Sequence, residues 1–395
     1  QPGRALAHDS YERDVRGWGL VSLLSDLAHE SVTALLPMLF AGMGAPQSAL
    51  GITEGVADAV ASLTKLLGGR IADRWRSLKA AAVAGYAITA LAMPAVALVS
   101  SWVAVVALRA LAWLGRGFRS PLRDTLLVRA VPATQRGHAF GVERAMDQLG
   151  AVLAPLCVFA LVSLAWPAAS IVALTIVPGG LAVLVVLLVV RERHVPARAT
   201  VGDAARAEAE LGPVFTRYLV AIAVFGCGDF AKTMLVLWAV GTTSATSVGT
   251  LSRGVLLYAA FNLVTVLGAW SLGRLSDRVG RKAVLTGCYV LGSLGAVVPV
   301  LLPPSFVAAG VALFLSGVLV GGEEAVERAW AADLAGSRHG RGFGLLHTVN
   351  GVGDLVASAG IGLLWQWQGP RLAFGSAAAL MLAGAAMVAS VRQRR

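Results

Sequence analysis

The sequence predicts an all-α integral membrane protein with twelve transmembrane helices in two pseudo-symmetric six-helix bundles. Three observations carry that expectation. The chain is 57% hydrophobic and 14% charged, with a mean hydropathy of +0.73, whereas soluble domains carry about 25% charged residues. Apolar runs longer than about 18 residues, each able to cross a bilayer, recur along its length. The two halves also repeat: Arg136-Gly137 returns as Arg341-Gly342 and Arg123 returns as Arg328, both 205 residues later.

Twelve spans are expected at about 16–42, 48–69, 79–99, 102–128, 138–165, 168–190, 214–241, 248–273, 282–302, 305–333, 341–365 and 371–391. The connections between them sort by charge. One set is basic: Arg70, Arg74, Arg76 and Lys79; Arg136; Arg191, Arg193, Arg198 and Arg206; Arg274, Arg278, Arg281 and Lys282; Arg338 and Arg341; and the tail Arg392, Arg394 and Arg395. The alternate connections (43–47, 100–101, 166–167, 242–247, 303–304) hold no Lys or Arg, and the last holds only Arg371. The positive-inside rule therefore places both termini and the segment 191–213 in the cytoplasm. That segment divides the chain into a bundle at 1–190, a linker at 191–213 and a bundle at 214–395. Its Ala/Glu/Arg-rich middle fits either an amphipathic surface helix or a flexible linker. The first residues, QPGRALAHDSYERD, lack the apolar run of a cleavable signal.

The net charge of +11 is concentrated in loops on one side, so it speaks for membrane topology and not for nucleic acid. Cys157, Cys227 and Cys288 lie inside apolar runs without metal-type spacing, so no disulfide framework or cysteine metal site is expected. H-E-x-x-H, G-x-S-x-G and Walker A patterns are all missing, which argues against an enzyme and against ATP hydrolysis. No cofactor is expected.

Charge also sorts the spans. Segments 80–99, 168–190, 283–302 and 373–390 contain no Asp, Glu, Lys or Arg and can face lipid. The charged spans must turn inward, because a charge at mid-bilayer costs at least about 2.5 kcal/mol. In the fourth span Arg109, Arg116, Arg119 and Arg123 fall within roughly 80° of one helical face. Glu143 and Asp147 share a face of the fifth. The arginine stripe has two readings: bidentate binding of an anionic substrate, or neutralisation of Asp26, Glu30, Glu143 and Asp147 in an internal network. Four arginines facing four acids favour the network, with Arg116 and Arg119 deepest and Arg123, Asp124 and Glu143 near the cytoplasmic mouth.

In the first span Ser22, Asp26, His29, Glu30 and Thr33 form one polar stripe, with Asp26 about 15 Å along the helix. Asp26 and Glu30 are proton or substrate sites on one reading and static ion-pair partners on the other. His29 adds a titrating group or a ligand. In the second span Glu54, Asp58 and Lys65 share a face, and Asp58 is the deeper acid. In the second half Asp229 and Lys232 answer Asp26 and His29 at an offset of 203. The tenth span carries Glu323, Glu324, Glu327 and Arg328, and His347, Asn350 and Asp354 share a face of the eleventh. A cavity between the halves would thus have a cationic and an acidic wall. Trp113, Trp238 and Trp330 are candidates to line it.

The connection after the eighth span reads GRLSDRVGRKAVL from Gly273, and the one after the second reads GRIADRWRSLKAA from Gly69. Gly69 matches Gly273 and Asp73 matches Asp277 at an offset of 204. A glycine lets two helices approach, and a carboxylate can cap a facing helix N-terminus. These residues resemble the major facilitator superfamily over essentially the whole chain. Gly273, Asp277, Arg278, Gly280, Arg281 and Lys282 fit that family's G-x-L-x-D-R-x-G-R-K signature. The first copy keeps Gly69, Asp73 and Arg74 but has Arg76 in place of the glycine.

The resemblance implies a secondary transporter working by alternating access around a midplane site, with gate residues in these connections. The expected function is proton-coupled efflux of a small solute from a bacterial cytoplasm by a monomer in the inner membrane. Its proton or substrate cavity is expected at Asp26, His29, Glu30, Asp58, Arg109, Arg116, Arg119, Asp147, Asp229, Lys232, Glu323, Glu327, Arg328, Asn350 and Asp354. Proton-coupled uptake is the alternative, followed by export of a metal ion or chelate through Asp26, His29, Glu30 and Asp229. A membrane-embedded enzyme or receptor fits less well, because it needs no matching halves.

Overall fold

The computed structural model describes residues 2–45, 48–75, 77–192, 211–240 and 248–391, and every regular element among them is a helix. The α-helices are α1 (Pro2–Gly42), α2 (Ser48–Arg74), α3 (Leu78–Ala95), α4 (Trp102–Ala130), α5 (Arg136–Ser163), α6 (Ala168–Leu174) and α7 (Ile176–Leu188) in the first half. The second half has α8 (Pro213–Gly226), α9 (Thr233–Val240), α10 (Val248–Val279), α11 (Arg281–Leu301), α12 (Phe306–Leu334), α13 (His339–Gln368) and α14 (Pro370–Ser390). The amphipathic stretch expected in the linker falls at 193–210, outside the described residues. So do Arg76, the 242–247 connection, the tail arginines and the side chain of Glu54.

Among the described residues six helical stretches are long and apolar enough to cross a membrane: the third, fifth, sixth, ninth, tenth and twelfth spans. All four charge-free spans are among them. The two pieces of the seventh span fall short on length, and α1, α2, α4, α10 and α13 carry charges, of which Asp26, Arg109, Arg119 and Asp124 are buried within the fold. α7 shows the opposite face of the same rule, presenting Leu181, Leu184, Leu187 and Leu188 on the outside.

Two spans are broken where the sequence suggested continuous helices. The sixth divides at Thr175, whose hydroxyl donates to the Val172 carbonyl at 2.6 Å. The seventh divides across Cys227–Lys232. There Gly228 N–H donates to Phe225 O at 2.8 Å and Asp229 N–H donates to Gly226 O at 3.0 Å. A Cβ on Gly228 would lie 2.6 Å from the Ala377 carbonyl oxygen, so only glycine lets this turn rest on α14. Non-helical backbone at membrane depth survives where protein or a cavity satisfies it.

The signature segments also differ from the expected loops. Gly69–Arg74 and Gly273–Val279 are the last turns of α2 and α10. Arg74 and Arg278 lie in those last turns, where a cation opposes the helix dipole. α10 stops at Gly280, whose φ of +106° suits glycine.

The halves meet at the end that carries the basic connections. α5 crosses α10 there and α2 crosses α13, a pair of contacts related by the repeat. Both crossings are backbone to backbone. A Cβ on Gly137 would lie 2.2 Å from Gly273 O, and one on Gly69 would lie 2.5 Å from Gly340 O. Phe140 of α5 packs edge-on against Phe343 of α13 at 5.7 Å, within a hydrophobic core that runs through both halves. At the opposite end the first half packs on its own, around Leu36, Phe40, Met93 and Val105.

Gly137→Val is expected to cost about 1–3 kcal/mol in thermal unfolding of the detergent-solubilised protein, because it overpacks the α5/α10 crossing. Gly180→Val, at a site with nothing within 4 Å, should leave the midpoint unchanged.

Candidate functional site

Above this closed end lies a cavity of about 750 Å³ between the halves. Its first-half wall comes from α1, α2, α4 and α5 with Tyr86 of α3, and its second-half wall from α12 and α13. Of the residues predicted for the cavity, Asp26, Asp58, Arg116, Arg119, Asp147 and Asp354 line it, and Arg123, expected at the cytoplasmic mouth, lines it as well. Trp113 lines it too. Trp238 and Trp330 do not: both are buried core residues, and Trp330 packs on Tyr218 at 5.0 Å.

The four arginines of α4 do not behave as one network. Arg116 lies 3.6 Å from the Asp26 carboxylate. Arg123 lies 2.6 Å from Glu143 and 3.0 Å from Asp124. Arg109 donates to Thr33 Oγ1 at 3.0 Å and lies 4.0 Å over the Trp113 ring. Arg119 donates to Ser25 Oγ at 2.6 Å and lies 3.9 Å over the Tyr86 ring, and among the described residues it has no carboxylate within 4 Å. The expected pairing of Asp147 with this stripe is replaced by Arg144, one turn away on α5, at 2.7 Å. Arg144 also reaches Glu324 of α12 at 2.7 Å and so ties the halves together. Sequence reading passed over Arg144, although its i, i+3 spacing to Asp147 was the available signal.

His29 is held from both sides. A guanidinium only donates and a carbonyl only accepts. Contact with Arg116 therefore makes Nε2 the acceptor, and the 2.9 Å contact with the Ser25 carbonyl oxygen makes Nδ1 the donor. That assignment commits both ring nitrogens. Glu30 Oε1 lies 3.1 Å from the same Nε2, a contact that an unprotonated nitrogen cannot turn into a hydrogen bond. His29, Glu30 and Arg109 sit beside the cavity without lining it. Among the described residues no group of three His, Cys, Asp or Glu side chains is placed to hold a metal ion.

Below the cavity Arg328 of α12 enters the first half. It lies 2.6 Å from Glu143 and 3.5 Å from Asp124, the two carboxylates already engaged by Arg123. Asp124 also meets His347 Nε2 at 2.7 Å, and Ser22 Oγ donates to Glu143 at 2.6 Å. The repeat-related arginines thus converge on one pair of acids. Nearest the basic end, Asp73 accepts from the Gly340 and Arg341 N–H groups at 2.8 Å each. Its repeat mate Asp277 accepts from the Gly137 and His138 N–H groups at 3.0 and 2.7 Å. Each signature aspartate therefore caps a helix of the opposite half. Arg281 contacts Asp277 and lies 3.2 Å from Asp333, which Arg136 approaches to 2.7 Å from the other half. Asp333 had no motif to flag it. Arg74 and Arg278 are exposed and make no ion pair among the described residues, so the closing contacts run through Arg281 and Arg136 instead.

In the second half Asp229 and Lys232 pair with each other within the break of the seventh span. Glu327 accepts from Tyr289 Oη and from Asn350 Nδ2, the latter at 2.8 Å. A second cavity of about 190 Å³ lies here, lined by Asp229, Glu323, Glu327, Arg328, Asn350 and Asp354 among others.

A profile of the Major Facilitator Superfamily matches residues 18–244 and 218–395. The chain belongs to the major facilitator superfamily. It is 33% identical over 373 residues to an uncharacterized protein of Mycobacterium tuberculosis, covering 90% of this chain and 86% of that one. It is 26% identical over 360 residues to an uncharacterized MFS-type transporter of Methanocaldococcus jannaschii, covering 88% and 87%. Its fold resembles the Escherichia coli fucose:proton symporter FucP (TM-score 0.76, 13% identity, 98% and 100% covered). It also resembles a bacterial homologue of the iron transporter ferroportin in an outward-facing state (TM-score 0.77, 14% identity, 95% and 98% covered). Within this superfamily of transporters the chain is a multi-pass membrane protein, and the cavity between its halves is where a solute has room.

Replacing Arg328 with Gln leaves Glu143 and Asp124 buried with one guanidinium fewer. The expected loss is about 3–5 kcal/mol of stability in thermal unfolding. His339, at the start of α13 and outside the predicted span, is pushed down to about 4 by burial first and then by Arg136 and Arg129. A histidine whose folded pKa lies below the ordinary value near 6.5 contributes stability that is present above about pH 6.5 and lost as pH falls toward 4. The unfolding midpoint should therefore decline over that window, and the decline should be shallower in His339→Gln.

Proposed function

We propose that this transporter exports a small organic solute carrying a cationic group from the cytoplasm in exchange for protons. One observation carries the reading. Asp58 and Asp354 line the central cavity from opposite halves, and among the described residues neither has an Arg, Lys or His nitrogen within 4 Å. Lys65 lines the same cavity but lies beyond ion-pair distance of both. A carboxylate at membrane depth that no resident cation neutralises takes up a proton or the cationic group of a solute, and the two exclude each other. Mutual exclusion at one site is the basis of exchange.

Topology supports the export direction. The positive-inside rule puts the basic, closed end in the cytoplasm, so the cavity of this structure opens away from it. Protons entering from outside would displace solute there. The first half (1–190) and second half (214–395) would then rock about the cavity. Opening to the cytoplasm requires the Asp73 and Asp277 caps and the Arg123/Arg328 cluster to part. These supports suit a monomer in a bacterial inner membrane, with both termini and the 191–213 segment cytoplasmic.

The test is proton release at low buffering when phenethylamine or a quaternary ammonium such as tetraethylammonium is added to the purified protein. Wild type should release protons on binding. Asp58→Asn and Asp354→Asn should each reduce the release, and the double variant should abolish it. Asp26→Asn, whose native carboxylate has Arg116 beside it, should retain most of it. Release that persists undiminished in the double variant would overturn the reading.

A further inference from the structure

We infer that the solute also carries a carboxylate, which docks on Arg119, so that the substrate class is zwitterionic. The inference rests on the preceding reading in taking the central cavity as the solute cavity and Asp354 as a site for the solute's cationic group.

Arg119 differs from its neighbours on α4 that face the cavity. Arg116 and Arg123, one turn to either side on the same helix, each have a carboxylate within 4 Å. Arg119 is 5% exposed, and its polar contacts are one hydroxyl, Ser25 Oγ, and the face of Tyr86. A ring face and a single hydroxyl recover only part of what a buried guanidinium loses on leaving water. A guanidinium has five N–H donors and one is accounted for here. The group lines the central cavity, so the missing partner can arrive from there.

The place is also built for the arginine. A Cβ on Gly85 of α3 would lie 2.8 Å from the Arg119 Cβ, and one on Gly115 would lie 2.7 Å from the Gly85 carbonyl oxygen. Two glycines bring α3 and α4 together so that the guanidinium lies over Tyr86. Beyond the bond to Ser25 Oγ the fork keeps N–H donors to spare, and a guanidinium fork matches the two oxygens of a carboxylate. Asp354 stands on the opposite wall without a cation. Arg119 on one wall therefore lacks an anion, and Asp354 on the other lacks a cation. A single small molecule bearing both groups completes both.

Three probes with one ring separate the two ends: phenylalanine, phenylacetate and phenethylamine, titrated by calorimetry into the detergent-solubilised full chain. Wild type is expected to bind phenylalanine more tightly than either single-charge probe. Arg119→Gln should weaken phenylalanine and phenylacetate by at least about tenfold, a loss typical of a charge-assisted pair, and leave phenethylamine unchanged. Arg119→Lys should recover part of the loss, which a merely structural arginine would not predict. Asp354→Asn should weaken phenethylamine and leave phenylacetate unchanged. That arm reads the cationic site, so its failure is distinguishable from failure at Arg119. Equal phenylacetate affinity in wild type and Arg119→Gln, or no phenylacetate binding to wild type, would overturn the inference.

Discussion

Arg123 and Arg328 occupy equivalent positions in the two halves, and both end on Glu143 and Asp124. Two guanidiniums facing two carboxylates cancel in charge, which is what allows four ionised groups to lie where a lone charge would cost several kcal/mol. Three of these residues belong to the first half, and the cluster is complete only when the second half supplies Arg328. Charge balance in the first half therefore depends on contact with the second. The glycine crossings and the aspartate caps are the geometry that lets this contact form. α5 and α10 must touch backbone to backbone before Asp277 can reach the Gly137 and His138 N–H groups.

The repeat explains why closure comes in matched pairs. Asp73 does at the start of α13 what Asp277 does at the start of α5, and Gly69 does against Gly340 what Gly273 does against Gly137. Each aspartate accepts two N–H groups that a helix start leaves without intrahelical partners, at the end where the dipole favours negative charge. Within one half these aspartates have no such role, so their recurrence in the sequence is a trace of the contact between halves.

Much of this was legible before any coordinates. The four charge-free spans marked helices long and apolar enough to cross a membrane, and repeated Gly and Asp residues marked the crossings. Asp26, Arg116 and Asp354 were chosen because charge at membrane depth must be enclosed, and all three line the cavity. What was not legible follows from how side chains choose among neighbours. Periodicity put Arg119 and Arg116 on one face but could not say that Tyr86 would cover the former while Asp26 met the latter. Asp147 was assigned to the α4 stripe while Arg144, on its own helix, was passed over. Trp330 was a candidate to line the cavity, yet it packs on Tyr218 within the core. The break at Cys227–Lys232 was hidden because an apolar run reads the same whether or not its helix is interrupted.

Transport by rocking needs two arrangements that differ by only a few kcal/mol, and the distribution of charge here suits that need. When the halves part at the basic end, Asp73, Asp277 and the helix starts they cap exchange one another for water. A lost cap costs about 1 kcal/mol. The Arg123–Glu143–Asp124 group keeps three of its four charges within the first half, so a parted state retains internal pairing and leaves one carboxylate short of a partner. Arg328, departing with α12, has Glu324 and Glu327 on its own helix and the same acidic cavity around it. Each half thus holds acids that can take over part of the compensation. Arg119, Asp58, Asp354 and Lys65 face the cavity without an ion pair among the described residues, and on the proposed reading that is where solute and protons have access. The pairs between halves set which end is closed, and the unpaired groups set what the cavity accepts.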